Sequence, residues 1–460
     1  MNRSRFSLVL LVVFVIGLLS VSALSAQGVQ RSYIVLSDGD GSNLASAISA
    51  AGGTMVNYLP QIRAAVAVSS NPNFKTQVRG VRSVIPDLVY QFEVPTLVAD
   101  GETVSAAVGN PPNSGSADTR FNLQWGHDAV NAPEAWNAGV RGQGVVVAVL
   151  DGGFDLDHPD LAANIIGSQS FVPGESAAYA LPDAFSHGTH VAGTIGAVQN
   201  GFGTIGVAPD VDLLLVKVLA DSGSGAFSWV ASGILYAADQ GVDVINMSLG
   251  ADIPQSGVCD DEGCITAREV AELRVMMNRV ANYAAQRGVT VVVAAGNDGR
   301  DRDHDANILT LPADMPNVIA ISAYAPVGWL ANGWDGFFYY PTSYTNYGRS
   351  AIDFAGPGGD TLYPGNEACT VAGITRPCWL FDLVFSTGSN LTPGAATYYW
   401  SGGTSMATPH AAGIAALIIS EHGGSLAPAQ VEAEMRARAT HPGSNGRDPF
   451  YGLGAISSGY

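Results

Sequence analysis

Residues 401–410 read SGGTSMATPH, and Ser405 stands there among small residues, ahead of the apolar run AAGIAALIIS. A serine hydroxyl becomes a nucleophile only beside a base, and the base needs a partner that fixes its tautomer. Candidates for both end or open other stretches of the chain. Asp151 ends the apolar run VVVAVLD, His187 opens HGTHVAGTIGA, and Asn297 follows VTVVVAAG. An aspartate can orient an imidazole, the imidazole can carry the serine proton, and an asparagine amide can donate to an oxyanion. The N–H of Ser405, at a helix start, is a second donor for the same charge. Each residue also has a plainer reading. Ser405 can cap a helix, Asp151 and Asn297 can form turns, and His187 with His190 can be a metal pair, although no H-E-x-x-H pattern is present. Four such residues at four element ends favour acyl transfer.

The elements that must position them show in the texture of the chain. From about residue 120, buried-looking runs such as GVVVAVL, VDLLLVKVL, VDVINMSL, VTVVVAAG, NVIAIS and AIDFAG alternate with helical patterns. This predicts an α/β fold, a mostly parallel sheet with helices on both faces, and functional groups at the carboxyl ends of its strands. Residues 31–93 alternate as a small βαββαβ unit, a separate α+β domain. Residues 94–119 are polar, contain Gly, Pro and Ser, and read as an exposed linker. The stretch 325–400 reads as elaborated loops.

Composition bounds the function. The 460 residues are 47% hydrophobic and 13% charged, enough for a large core, and they carry a net charge of −19. No basic stripe is present, which argues against nucleic acid as a partner. MNRSRF, an apolar stretch and SALSAQ read in the order of a secretory signal over 1–26, cut between Ala23 and Ala26. An N-terminal membrane anchor is the competing reading. With the signal removed, an exported, soluble chain without a membrane partner is expected. Four cysteines allow three pairings, and the close pairs suggest Cys259–Cys264 and Cys369–Cys378 as loop staples, with zinc the weaker alternative.

Taken together, VLDGGFDLDHPDL, HGTHVAGTIGA, INMSLG, VVVAAGNDG and GTSMATPHAAGIAAL resemble the motifs of the subtilisin-like serine proteases, and the resemblance covers about 120–460. It implies an endopeptidase acting on polypeptides, expected as a monomer. By the same resemblance Asp151 would orient His187, His187 would act as general base and then acid, Ser405 would attack, and Asn297 would help hold the oxyanion. The substrate would lie extended between Ser222, Gly223, Ser224 and Gly225 on one side and Ser248, Leu249 and Gly250 on the other. Ala294, Ala295 and Gly296 would line the first specificity pocket, with Asp298 lending tolerance for a basic side chain. Residues 27–93 resemble an inhibitory propeptide, with a processing site expected in 94–119 and the catalytic domain over 120–460. A structural calcium ion is expected at Asp118, Asp160 and Asn200, where carboxylates and an amide meet a Gly-rich loop. Two other classes stand against this reading: a non-catalytic binding protein that keeps its propeptide as a plug, and a metal-dependent hydrolase built on His187 and His190.

Overall fold

The computed structural model describes residues 29–92, 97–103 (backbone only), 118–182, 185–259, 264–332, 338–444 and 446–460. The expected signal segment, and all of 104–117, lie outside these residues. No helix among those described is long and apolar enough to cross a membrane.

The N-terminal unit runs β1 (Arg31–Leu36), α1 (Leu44–Ala50), β2 (Thr54–Leu59), β3 (Ala64–Ser69), α2 (Phe74–Gln77), β4 (Ser83–Pro86) and β5 (Val89–Gln91). Strands β2, β3, β1 and β4 form one sheet in that order. The expected single strand over VRSVIPDLVYQFE is broken at Pro86–Asp87, and β5 leaves the sheet to pair elsewhere. The stretch expected to be a linker holds a strand, β6 (Leu97–Thr103).

The larger unit follows with α3 (Trp125–Ala129), α4 (Ala132–Asn137), β7 (Val146–Asp151), β8 (Ile165–Ser170), α5 (His187–Gly196), β9 (Asp212–Lys217), β10 (Ser224–Ala226), α6 (Phe227–Gln240), β11 (Val244–Met247), β12 (Ala251–Pro254), β13 (Gly257–Cys259) and β14 (Cys264–Thr266). Then come α7 (Ala267–Gln286), β15 (Thr290–Ala294), β16 (Ile308–Leu311), β17 (Ile319–Ala325), α8 (Trp329–Asn332), β18 (Tyr340–Pro341), β19 (Phe354–Pro357), β20 (Ala368–Val371) and β21 (Ile374–Pro377). The chain closes with β22 (Val384–Thr387), β23 (Thr397–Gly402), α9 (Thr404–Glu421) and α10 (Pro428–Arg438).

The main sheet has the order β18-β17-β15-β11-β7-β9-β8, with β19 also on β17. Its pairings are parallel except β17 with β18, as the continuous apolar runs predict. Side-chain alternation along β7 sends Val147 and Val149 into a core with residues of α5 and α9, and Ala148 and Leu150 into a core with residues of α6 and α7. Helices thus cover both faces. Both expected disulfides, Cys259–Cys264 and Cys369–Cys378, are formed.

The two units share one of these cores. Along β1, Tyr33 and Val35 turn toward Leu44, Ile48 and Phe74 of their own helices, whereas Ile34 and Leu36 join the core that contains α6 and α7. Ion pairs frame the contact: Arg82 reaches Glu272 at 2.6 Å and Lys75 reaches Glu269 at 2.5 Å.

Candidate active site

Asp151 is the last residue of β7, fully buried. Its Oδ1 accepts a hydrogen bond from His187 Nδ1 at 2.7 Å and another from the Gly152 N–H at 2.7 Å. A carboxylate only accepts, so Nδ1 carries a proton and the base role falls to Nε2. That Nε2 is buried without a hydrogen-bond partner among the described residues. Ser186 places the histidine by capping α5: its Oγ accepts from the Thr189 N–H and donates to the Gly153 carbonyl, 2.7 Å away, beside β7.

Ser405 is the second residue of α9 and 1% exposed. Its Oγ donates to the Ser248 carbonyl at 3.1 Å, while the Ser248 hydroxyl donates to the Ser405 carbonyl at 2.8 Å. The nucleophile candidate is thus clamped to the end of β11. Thr404, one residue earlier, reaches Asn297: its N–H and its hydroxyl both donate to Asn297 Oδ1, at 2.8 and 2.9 Å. With Oδ1 committed there, the amide keeps its donor end for the opposite side, as an oxyanion donor requires. Thr404 Oγ1 also accepts from the Gly296 N–H at 3.3 Å.

The expected substrate strands are at hand. Ser224 and Gly225 of β10 pair antiparallel with Gln91 and Tyr90 of β5, and the Phe92 N–H donates to the Gly223 carbonyl at 3.3 Å. The Ser222 carbonyl accepts from the Gln91 amide. The rings of Tyr90 and Phe92 both lean on Phe227, with centroids 5.2 and 5.4 Å apart. Ser248, Leu249 and Gly250 continue from β11, all buried; Ala294 ends β15 and Ala295 and Gly296 follow it, the two alanines 3% exposed. Asp298 is faced by Arg300 at 3.8 Å, which weakens the expectation that it favours basic side chains.

A carboxylate, an imidazole, a clamped serine and an amide donor, beside an extended segment held on backbone, is an arrangement that known proteins share. Residues 142–454 match the model of the subtilase family, Peptidase S8. The chain belongs to the subtilase family. It is 35% identical over 335 residues to subtilisin of Bacillus pumilus, covering 73% of this chain and 97% of that protein. Subtilisin E of Bacillus subtilis is also 35% identical over 335 residues, with 73% and 70% covered. Among solved structures, fervidolysin of Fervidobacterium pennivorans, described as a keratinolytic enzyme related to subtilisin, superposes with a TM-score of 0.65 at 22% identity, over 94% of this chain and 61% of its own. A Pseudoalteromonas arctica protease gives 0.56 at 31% identity, over 75% and 98%. This subtilase is a serine endopeptidase acting on polypeptides.

The residues expected to hold calcium in this subtilase do meet. Asp118 Oδ1 accepts from the N–H groups of Asn200 and Gly201 at 3.0 and 2.9 Å. Asp160 accepts from the Asn200 amide at 3.0 Å, the Thr204 N–H at 2.9 Å and the Tyr398 hydroxyl at 2.8 Å. Gly203, at φ 56°, lets the 200–204 loop close over them, since a Cβ there would lie 2.2 Å from Asp160 Oδ2. Burial, with the Asp118 charge as a lesser cause, pushes the Asp160 carboxyl up to about 6. Two buried carboxylates, an amide and a glycine-closed loop suit a hard cation in residue type and proximity. The Asn200 amide donates to Asp160 while its Oδ1 accepts from the Phe202 N–H at 2.8 Å, so a cation taking that oxygen would require the amide to turn.

His187 and His190 do not face one site in this subtilase. His190 Nε2 lies 3.2 and 3.1 Å from the carbonyls of Val384 and Tyr399 and donates to them, whereas His187 serves Asp151. No group of three or more His, Cys, Asp or Glu able to hold a metal occurs among the described residues. Sequence reading missed Thr404 and Ser248 as supports of the catalytic set. Each is a small hydroxyl within a family motif, and only the packing of α9 against β11 and β15 shows what it bonds.

Proposed function

We propose that this serine endopeptidase is made as an exported precursor, works through Asp151, His187 and Ser405, and is held inactive by residues 29–92. In the reaction, Ser405 Oγ attacks the substrate carbonyl while His187 Nε2 takes its proton. Asp151 stabilises the imidazolium. Asn297 and the Ser405 N–H hold the oxyanion, and His187 then gives the proton to the departing amine. Water repeats the sequence on the acyl-enzyme. The observation that carries the inhibitory reading is the β5–β10 ladder: Val89–Gln91 occupy the backbone edge that an extended substrate would use. Two disulfides suit an oxidising compartment. Calcium held by Asp118, Asp160 and Asn200 would add stability without entering the chemistry.

The test is Ser405→Ala in the full chain. The variant should fold, lose peptide hydrolysis by a factor on the order of 10⁶, as the same loss costs in subtilisin, a relative of this chain, and accumulate as uncut precursor. A serine variant cut normally at the same bond would assign processing to another protease.

A further inference from the structure

The edge Ser222–Gly225 opens at a turn whose tip, Ser222, is exposed. Such an edge binds an extended peptide only where its N–H and C=O groups are held in line. Within the turn, the Ala220 N–H donates to the Ser224 carbonyl and the Gly223 N–H to the Ala220 carbonyl, both at 2.8 Å. These bonds close the loop on itself and leave its height over the sheet to other groups.

Those groups lie beneath it. Lys75 and Lys217 are the two lysines among 21 basic residues, and Lys217, the last residue of β9, is 0% exposed. A buried ammonium is tolerated where it is paired and hydrogen-bonded. Lys217 Nζ donates to Asp221 Oδ1 and pairs with Glu175 Oε2 at 3.1 Å. The Asp221 N–H donates to the same Glu175 oxygen at 3.0 Å, and Asp221 Oδ2 accepts from the Ala180 N–H at 2.9 Å. One cation and two carboxylates therefore tie three segments together: the end of β9, the turn that leads into β10, and residues 175–180, which lie between β8 and His187. Gly153 makes room for the set, since a Cβ there would lie 2.5 Å from Asp221 Oδ1. The backbone after Lys217 is joined to β7 as well, where the N–H groups of Val218 and Leu219 donate to the Asp151 carbonyl at 2.8 and 3.1 Å.

Resting on the catalytic reading above, we propose that Lys217 is a positioning residue for the substrate. Its ammonium holds Asp221, and with it the Ser222–Gly225 backbone, at the level where an extended peptide forms its ladder. Its bonds run to Asp221 and Glu175, whereas His187 bonds Asp151 and Ser405 bonds Ser248. Its effect therefore falls on the binding of peptide residues along β10 and leaves the reacting atoms alone. Without the ion pair the turn drifts and ladder bonds to substrate are lost. One or two bonds of ordinary strength correspond to about a tenfold rise in KM.

The test uses two variants. Lys217→Met/Asp221→Asn removes the buried pair together, so that neither charge is left alone. Glu175→Ala removes a side chain that is 35% exposed. Each is expressed as the full chain, and the active enzyme recovered is counted with a serine-directed covalent probe. The substrates are a short nitrophenyl ester, too small to reach β10, and a hexapeptide cut at its centre. KM for the hexapeptide should rise about tenfold in the double variant and about threefold in Glu175→Ala. The kcat per labelled enzyme, and both constants for the ester, should stay at wild-type values. A merely structural role would lower the yield of labelled enzyme and leave the hexapeptide KM where it was. That result, or equal losses on ester and peptide, would overturn the proposal. If the double variant is not produced, Glu175→Ala decides on the same readouts, and an unchanged hexapeptide KM there sinks the idea. A wild-type chain that neither takes the probe nor cleaves either substrate would instead overturn the catalytic reading, and this proposal with it.

Discussion

Asn297 Oδ1 accepts two hydrogen bonds from Thr404, one from its backbone at 2.8 Å and one from its hydroxyl at 2.9 Å. An amide held at its acceptor end presents its donor end in one orientation. Asn297→Ala should lower kcat by about 10²–10³, the range measured for one such donor in the relative subtilisin. Thr404→Val keeps the backbone bond and loses the hydroxyl, about 1 kcal/mol of orientation, so kcat should fall only about five- to tenfold. KM should move little in both. Single-turnover kinetics on an ester substrate would show it, and a Thr404→Val enzyme with wild-type kcat would show that the second bond orients nothing.

Asp87, in the N-terminal unit, serves the partner unit's α6. Its carboxylate accepts from the Ser228 N–H at 3.3 Å and the Ser228 hydroxyl at 2.6 Å, and from Ser32 at 3.1 Å. It stands in for a missing cap, because α6 begins after Ala226, which has no side-chain acceptor. Asp87→Ala should therefore weaken the hold of the cleaved N-terminal unit by about 1 kcal/mol, or about fivefold. Dilution of the purified complex, with activity followed on a chromogenic peptide, should show a shorter lag. An unchanged lag would show that the apolar contact alone holds the unit.

His190 predicts a pH effect on stability. Burial, then the neighbouring His187 and more weakly His410, lower its imidazole to about 3, against hydrogen bonds to Tyr399 and Val384 that favour the proton. The folded value lies below the unfolded one of about 6.5, so the unfolded chain takes up the proton first as pH falls. This histidine's contribution is complete above pH 6.5 and declines by about 1.4 kcal/mol per pH unit below it, or about 2 kcal/mol by pH 5. In His190→Gln, the slope of unfolding free energy between pH 6 and 4 should be smaller by one proton. Denaturant titrations at several pH values measure the difference directly, and parallel slopes for the two proteins would contradict it.

Calcium should stabilise the fold without driving the chemistry. Asp118, Asp160 and Asn200 meet at the 200–204 loop, whereas Asp151, His187 and Ser405 bond to other partners. A bound ion at a hundred times its Kd would add about 2.7 kcal/mol. EGTA should lower Tm and hasten self-digestion, and added Ca²⁺ should restore both. An unchanged Tm, with no calcium found by elemental analysis, would remove the ion from this account.

The parts of the site that could be read in advance are those whose meaning is local. Asp151, His187, Asn297 and Ser405 each stand at the end of a strongly patterned element, and a parallel sheet gathers such ends along one edge. What stayed hidden depends on distant pairing. PTLVADGETV carries a proline and a glycine and lacks two-residue alternation, so nothing in it announces β6, whose register is supplied by β23. The break at Pro86–Asp87 has a local sign in its proline, but the destination of β5 has none, because the carboxylate there answers a helix belonging to the other unit.

An endopeptidase at high concentration is surrounded by copies of itself, and its cleft accepts chains that can be drawn out straight. The two disulfides close spans of only 5 and 9 residues, within surface hairpins. Loops so short restrict the unfolded chain modestly, about 2–3 kcal/mol each. Their larger effect is on digestibility: a hairpin whose strands are cross-linked, beside the turn at Cys259–Cys264 and near the open end at Cys369–Cys378, cannot be pulled into an extended strand across a neighbour's cleft. Reduction should therefore shorten the enzyme's working life before it lowers its melting temperature, with the first nicks inside 259–264 and 369–378. Peptide mapping of aged samples, reduced and oxidised, would locate them.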